Sequence, residues 1–330
     1  MRNVALALLC MGSGANLSLA KDVAGGPGPG YQRFANPPPF EASDAVQLPD
    51  GRILIVDDES DTPLTLVTLL TGRKIVTEKI SLHKQFKKRG SERAVRELAD
   101  LEGAAVAPDG RIYLMTSFSR KPSGRIDENR DKLASFTLQG TEVNQPVVRS
   151  DLRAALAALS PELAKASDYK VSESPAGLNI EGLVYDKAKE RLLVGFRSPI
   201  VGGKALVVPL ENPLDVVTKN AVPRFGAIAQ INLGGAGIRA MTFDDKLGGF
   251  LILSGSAEGA ALPIQLWLWD GMSTDPKHLT VEGWTDFAHG EGITPVRLKD
   301  DAFLMIVCDD GNSRKKRGSG YIFLDYAAIK

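Results

Sequence analysis

Short apolar runs of strand length, separated by turn residues, dominate the pattern of hydrophobic and polar positions along the chain. In the first repeat these runs lie at residues 44–48, 53–57, 64–70 and 75–82. The tripeptide Pro49-Asp50-Gly51 between the first two runs is a typical turn signal. Four strands followed by a new copy of the same pattern indicate the blade of a β-propeller.

A two-strand unit recurs five times. In each copy a short strand starts at a polar residue, turns, and is followed by a second strand that ends in a polar cluster. The first strands start at Asp44, Glu102, Glu181, Arg239 and Glu291, which are 58, 79, 58 and 52 residues apart. Repeats of this length predict an all-β fold, a single β-propeller with five blades of four antiparallel strands, with six blades as the alternative. We expect residues 31–40 to supply the missing fourth strand of the last blade.

Helical signals are rare in the chain. Residues 151–165 are rich in Ala and Leu, with Asp151 as a candidate N-cap and Pro161 as an interruption in the second half. A weaker helical pattern covers residues 91–98. Both patterns fall between a fourth strand and the next first strand, so we expect one or two short helices on the face where the first strands begin.

Polar residues converge at one mouth of the predicted channel. Because neighbouring strands are antiparallel, the start of each first strand lies beside the end of the second strand. The mouth therefore combines the five strand starts with residues next to them and with the second-strand ends. These additional residues are Asp57, Asp58, Asp100, Ser117, Asn179, Arg197, Ser198, Ser254, His289, Asp309 and Asp310.

Several carboxylates in one place repel each other, so they need a cation, protons or arginine partners. Oxygen ligands suit a hard ion such as calcium or magnesium, whereas three histidines and few cysteines disfavour zinc. The metal-ligand candidates are Asp44, Glu102, Glu181, Glu291 and Asp309, with calcium as the expected cofactor. The alternative is that each carboxylate caps its own blade by accepting backbone N–H bonds.

Ligand-binding candidates at the same mouth are Asn179, Arg197, Ser198, Arg239 and Arg120, and catalytic candidates are Glu181, Arg197, Arg239 and His289. For His289 the alternative is a packed or solvent-facing side chain. Basic loops at residues 84–96, 120–130 and 314–317 are expected on this face. They favour an anionic small molecule that bridges to a bound cation. The sequence has no Gly-rich phosphate loop and no Gly-x-Ser-x-Gly elbow.

Composition and the N-terminus suggest where the protein acts. The 330 residues are 43% apolar with zero net charge, so overall charge implies no nucleic-acid or membrane partner. Residues 1–20 are typical of a signal peptide: Arg2, an apolar run at 4–11 too short to span a bilayer, and Ser18-Leu19-Ala20. We therefore expect a Gly/Pro-rich lead-in at 21–40 and a propeller domain at 41–330, in a periplasmic or secreted monomer without a transmembrane segment.

Six short motifs carry a family resemblance: Asp100-Leu101-Glu102-Gly103, residues 178–183, residues 195–199, Gly237-Ile238-Arg239, Glu291-Gly292-Ile293 and Asp309-Asp310-Gly311. Together they resemble the bacterial family catalogued as domain of unknown function 3616. The resemblance implies a β-propeller and no established activity. More distantly, the Glu-Gly strand starts are similar to those of phytase-like esterase propellers and calcium-dependent lactonase propellers.

Two hypotheses for function follow. The first is a calcium-dependent hydrolase of an anionic small molecule, of phosphoesterase or lactonase type, in which the cation polarises the substrate and activates water. The second is a non-catalytic propeller that binds a ligand or a protein at the same face. Fold alone does not separate them.

Overall fold

The computed structural model describes residues 30–58, 62–80, 98–173, 176–257 and 262–330. Within these ranges, twenty strands form five four-stranded antiparallel sheets. The five-bladed, all-β propeller predicted from the repeats is therefore confirmed. The predicted signal peptide, the basic residues at 84–96 and most of the weak helical pattern at 91–98 lie outside the described residues.

The strands of each blade are given from the channel outward. Blade 1 contains β2 (Ala42–Gln47), β3 (Ile53–Asp57), β4 (Leu64–Leu69) and β5 (Ile75–Ile80). Blade 2 contains β6 (Leu101–Val106), β7 (Arg111–Thr116), β8 (Leu133–Gln139) and β9 (Glu142–Arg149). Blade 3 contains β10 (Asn179–Asp186), β11 (Arg191–Ser198), β12 (Ala205–Leu210) and β13 (Ala229–Ile231). Blade 4 contains β14 (Gly237–Asp244), β15 (Gly249–Gly255), β16 (Gln265–Trp269) and β17 (Lys277–Leu279). Blade 5 contains β18 (Gly290–Leu298), β19 (Asp301–Cys308), β20 (Gly320–Asp325) and β1 (Tyr31–Arg33).

The N-terminal strand β1 closes the ring as the fourth strand of blade 5, pairing Tyr31 with Ile322 and Arg33 with Gly320. Asp310 holds this strand in place. Its carboxylate accepts hydrogen bonds from the Tyr31 hydroxyl, from Arg33 Nη2 at 2.8 Å and from the Gly320 N–H at 2.8 Å. The closure predicted from the sequence is confirmed, and it pairs the edge that β20 would otherwise leave open.

Blade-to-blade packing forms the core, because the second and third strands are apolar on both faces. One cluster joins blades 1 and 2 through Leu54, Leu66, Leu114 and Phe136, all nearly inaccessible to solvent. Each fully buried aliphatic or aromatic side chain of this kind contributes roughly 1.5–3 kcal/mol. The blades therefore hold each other in register around the channel.

Three short helices occur among the described residues, rather than the one or two expected. The single helix predicted at residues 151–165 is wrong: the structure has α1 (Leu152–Ala157) and α2 (Pro161–Asp168). The break comes at Ser160, whose hydroxyl caps α2 by accepting from the Leu163 N–H at 3.2 Å while Pro161 takes the first helical position. A third helix, α3 (Pro213–Thr218), lies between β12 and β13. In the described part of the chain no helix is long and apolar enough to cross a membrane.

Every innermost strand carries a β-bulge near its start. The register shifts leave one residue of β2, β6, β10, β14 and β18 without a partner on the second strand. These residues are Ser43, Glu102, Glu181, Arg239 and Glu291. A bulge redirects a side chain away from the sheet, so the five bulges define one ring at one end of the channel.

The glycine after a bulge lets adjacent blades approach closely. A Cβ at Gly103 would lie 2.7 Å from the Leu183 Cβ of blade 3, and a Cβ at Gly292 would lie 2.5 Å from the Asp44 Cα of blade 1. Neither position has room for a side chain, which explains the repeated Glu-Gly dipeptide. The bulged residue supplies the polar group and the glycine supplies the contact between blades.

Candidate functional site

The acidic mouth is the end of the channel where the innermost strands begin, and it contains the five bulged residues. All five predicted strand starts lie on innermost strands, but Asp44 does not occupy the equivalent position. Ser43 is the bulged residue of blade 1, and Asp44 stands where blades 2, 3 and 5 have glycine. The assignment was wrong by one residue because the Ser43-Asp44 pair lacks the Glu-Gly pattern.

Asp44 is almost fully buried and binds backbone. Its carboxylate accepts the Ala45 N–H at 2.8 Å and the Ala104 N–H of blade 2 at 2.7 Å. Burial raises its pKa well above the usual value, opposed by hydrogen bonds from the Ala104, Ala45 and Ile293 N–H groups. The Asp44 carboxylate therefore caps backbone N–H groups, which is the alternative to metal binding that the sequence left open.

A compact carboxylate cluster lies next to the bulge of blade 2. Asp58, Asp100 and Glu102 each offer one oxygen, and these oxygens lie within 4.8 Å of one another. Asp58 follows the second strand of blade 1, while Asp100 and Glu102 flank the start of β6. Three oxygens at this separation could hold a metal ion, and hard divalent cations prefer such ligands.

Asp100 is fixed from behind. Its Oδ2 accepts from the hydroxyls of Ser117 and Ser119, the latter at 2.9 Å, and from Arg130 Nη1 at 2.7 Å. Its other oxygen, Oδ1, makes no hydrogen bond to the described residues. Donors that saturate one oxygen orient the carboxylate and leave the other for a ligand, the arrangement that supports metal-binding carboxylates.

Glu181 borders this cluster from blade 3 and is 3% exposed. Its Oε1 accepts from Arg197 Nη1 at 2.7 Å and from Asn179 Nδ2 at 2.9 Å. Among the described residues, no hydrogen bond reaches Glu181 Oε2 or the amide oxygen of Asn179, and both atoms are buried. Buried acceptors without donors cost stability, so the two atoms indicate a place for a cation or for water.

Glu102 reflects this concentration of charge. Burial raises its pKa well above the usual value, and the charges of Glu181, Asp58 and Asp100 raise it further, while Arg239 opposes the rise. Glu102 thus retains a proton more readily than an isolated carboxyl group. A bound cation would take over the role of that proton.

Arg239 links blades 4 and 5 at the mouth. Both oxygens of Glu291 pair with its guanidinium, with Nε donating to Oε2 at 2.8 Å, and Glu181 Oε2 lies 3.8 Å from Nε. Asp309 and His289 lie at the exposed rim. Partial burial raises the pKa of Asp309, and the charges of Arg239 and His289 oppose that rise.

Other predicted site residues make structural contacts. Arg120 donates to Ser167 O at 2.9 Å, to Gly124 O at 3.0 Å and to Asp168 at 3.1 Å, so it ties its loop to α2. Ser198 is fully buried, and its hydroxyl donates to Gly177 O. Neither side chain joins the carboxylate cluster.

Asp58 and Asp100 were recognised in the sequence as part of the mouth but not as metal ligands. Their positions could have indicated this role, because Asp58 directly follows a second strand and Asp100 lies two positions before a bulge. The supporting donors Ser119 and Arg130 were missed, because they follow β7 in a loop whose path has no periodic pattern.

A family model described as "Protein of unknown function (DUF3616)" matches residues 81–325. The chain belongs to the DUF3616 family. The match confirms the resemblance drawn from the strand-start motifs, and most of the propeller of this DUF3616 protein falls within it. No curated protein matches it by sequence.

Solved structures resemble this DUF3616 protein in fold. A GH43_1 enzyme from Xanthomonas citri has a TM-score of 0.50 at 10% identity, covering 91% of this chain and 92% of that one. A GH74 enzyme from Niastella koreensis has a TM-score of 0.47 at 11% identity, covering 91% and 46%. The major Malassezia sympodialis allergen Mala s 1 has a TM-score of 0.43 at 10% identity, covering 88% and 80%. At these identities the likeness concerns the fold alone.

Proposed function

We propose that this DUF3616 protein is a calcium-dependent hydrolase of anionic small molecules, with phosphoesters as the favoured substrate class. The observation that carries the proposal is the carboxylate cluster of Asp58, Asp100 and Glu102 beside the unbonded Oε2 of the buried Glu181. Purely structural caps would use both carboxylate oxygens, as Asp44 does. The open oxygens favour a cation instead.

The proposed cation would be held by one oxygen from each member of the cluster, with the buried Asn179 Oδ1, which receives no hydrogen bond from the described residues, as a neutral ligand. Calcium suits this set because it accepts several oxygens in irregular geometry, whereas magnesium demands a near-ideal octahedron. Bound there, it would polarise a phosphoryl oxygen and lower the pKa of a bound water.

Glu181 and Arg197 are the residues proposed to act on the substrate. Glu181 Oε2 would accept the proton of the attacking water while Arg197 keeps Oε1 engaged at 2.7 Å. The side chain of Arg197 is 27% exposed, against 12% for Arg239, so Arg197 is the better placed to meet an anion. The water oxygen would bond to phosphorus, the bond from phosphorus to the ester oxygen would break, and solvent would protonate the departing alkoxide.

The test is turnover of p-nitrophenyl phosphate, bis-p-nitrophenyl phosphate and a lactone, with calcium, magnesium or EDTA. We expect activity that EDTA abolishes and calcium restores. Glu181→Gln should lower kcat by about 100-fold or more, as expected for loss of a general base. Glu282→Gln, which removes an exposed carboxylate that pairs with Lys330, is the matched control and should retain full activity.

A non-catalytic binding propeller is the second candidate, favoured by one observation. Arg197 and Arg239 are already paired with Glu181 and Glu291, so an anionic substrate would have to compete with those carboxylates. Calcium binding without turnover of any of the three substrate types would favour this candidate over the hydrolase.

We also propose that the protein is exported and monomeric. The support is the basic, apolar and small-residue pattern of residues 1–20 together with a ring closed by its own N-terminal strand. Cell fractionation and size-exclusion chromatography test both points, and a cytoplasmic full-length chain or a stable dimer would contradict them.

A further inference from the structure

A second concavity, the funnel, lies at the other end of the channel, where the innermost strands finish. Its volume is about 440 Å³, a size that accommodates a small organic molecule. It shares no residue with the carboxylate cluster of the acidic mouth. A ligand site in the funnel would therefore be independent of the proposed hydrolase site.

The wall of the funnel is a ring with one residue from each blade, four positions after each bulge. The ring consists of Gln47, Val106, Tyr185, Phe243 and Pro295, and each is half-buried. Gln47 is the polar member, but its amide is occupied: Nε2 donates to Gly51 O at 3.1 Å and to Arg297 O at 3.0 Å, and Oε1 accepts the Arg297 N–H at 2.9 Å. The other four ring members, Val106, Tyr185, Phe243 and Pro295, offer apolar or aromatic side-chain surface to a ligand.

The rim, two residues further along each strand, is charged on one side only. Pro49 and Pro108 occupy it in blades 1 and 2, and Lys187, Asp245 and Arg297 occupy it in blades 3 to 5. Arg297 Nη2 lies 3.1 Å and Lys187 Nζ lies 3.9 Å from Asp245 Oδ2. All three charged side chains are at least half exposed, so the rim presents two cations and one anion to solvent.

We propose that the funnel binds a small molecule with a flat apolar body and one carboxylate. The body fits among the side chains of Val106, Tyr185, Phe243 and Pro295, where burial of apolar surface provides most of the affinity. The carboxylate lies at the rim beside the exposed cations Arg297 and Lys187. Of the two lining carboxylates, Asp245 is exposed between these cations, whereas Asp244 is buried and already accepts from the Tyr326 hydroxyl and two backbone N–H groups. A concavity of this volume favours a small molecule over a protein surface.

The probe for this site is 2-naphthoate, compared with its neutral counterpart 2-naphthalenemethanol. Both are titrated into the full chain by calorimetry in EDTA, which keeps divalent cations away from the acidic mouth. We expect saturable one-to-one binding of naphthoate, about fivefold tighter than the alcohol, the difference expected for one solvent-exposed ion pair.

Two substitutions locate the binding. Arg297→Gln should reduce the preference for naphthoate to near one, and it keeps the backbone bonds to Gln47. Lys219→Gln, at the exposed residue that follows α3, is the charge-matched control and should behave as wild type. Val106→Asp should abolish binding of both compounds, with circular dichroism as the check on folding.

Absence of saturable naphthoate binding would overturn the proposal. So would equal affinity for the two compounds in wild type, or a preference that persists in Arg297→Gln. Because the titration runs in EDTA, its failure says nothing about calcium or turnover, and a failed hydrolase assay leaves the funnel proposal intact.

Discussion

Replacing Arg239 by methionine should destabilise the protein in a way that depends on charge. The guanidinium pairs with both oxygens of Glu291, and both side chains are 12% exposed. Glu181 Oε2 lies 3.8 Å away. Arg239→Met keeps most of the apolar volume but leaves these carboxylates facing each other without the cation between them.

The expected magnitude follows from the burial of this pair. Removing one partner of a buried ion pair costs about 3–5 kcal/mol, and the open mouth places this case at the lower end, about 3–4 kcal/mol. Unfolding entropy of about 2.1 cal/mol/K per residue amounts to roughly 0.7 kcal/mol/K for this chain. The loss therefore corresponds to a drop in Tm of about 4–6 °C.

Thermal unfolding followed by circular dichroism measures this drop. The buffer contains EDTA, because a bound cation would mask the effect. The double variant Arg239→Met/Glu291→Gln should recover at least half of the loss, because the uncompensated charge is gone. Arg239 also opposes the rise in the pKa of Glu102, so without Arg239 the ionised form of that carboxyl destabilises the fold more, and this cost grows as pH rises. The drop in Tm should therefore be larger at pH 8 than at pH 5.

Two results would refute this reasoning. One is a Tm for Arg239→Met within about one degree of wild type at pH 7.5, well under the drop that a broken buried pair implies. The other is a double variant as unstable as the single one, which would mean that Arg239 stabilises the blades by packing rather than by charge.

Three further predictions concern closure, packing and pH. Asp310→Ala removes the acceptor that holds β1, so Tm should fall and limited proteolysis should cut first near the N-terminus; unchanged protease resistance would contradict the closure role. Gly292→Ala forces a Cβ to 2.5 Å from the Asp44 Cα and should cost about 1–3 kcal/mol in urea unfolding; a neutral effect would mean that the blades tolerate separation. Because the pKa of Glu102 is raised, protons compete with calcium for this carboxylate at low pH. The increase in Tm produced by calcium should therefore be larger at pH 8 than at pH 5. An increase that does not depend on pH would exclude Glu102 as a ligand.

The architecture could be predicted because it depends on short-range patterns. Strand-length apolar runs, turn tripeptides and a polar residue at each strand start repeat with regular spacing, and each repeat needs its neighbours to bury its faces. The closing role of residues 31–40 followed from counting strands. The break between α1 and α2 was harder to place, because residues 151–165 have continuous helix-forming composition and only Ser160-Pro161 interrupts it.

The site could be predicted only in part. The mouth was correctly located because antiparallel geometry determines which strand ends meet. The partner of each carboxylate oxygen depends on which residue of the strand is bulged. Asp44 lies one residue after its bulge and accepts backbone N–H groups, whereas Glu102 is itself the bulged residue and joins the cluster. The ion pairs of the arginines depend on tertiary packing and could not be predicted from local sequence. Arg239 and Glu291 are 52 residues apart and meet only when blades 4 and 5 pack together.

Calcium titration by calorimetry tests the central claim, that the acidic mouth is a cation site, most directly. Wild-type protein, Glu102→Gln and the control Glu282→Gln are each titrated after removal of metal with EDTA. The account predicts one saturable calcium site per wild-type chain, affinity lower by about tenfold or more in Glu102→Gln, and no change in the control. No saturable binding to wild type, or equal affinity in Glu102→Gln, would contradict it and leave the carboxylates of the mouth as structural groups held by Arg130, Arg197 and Arg239.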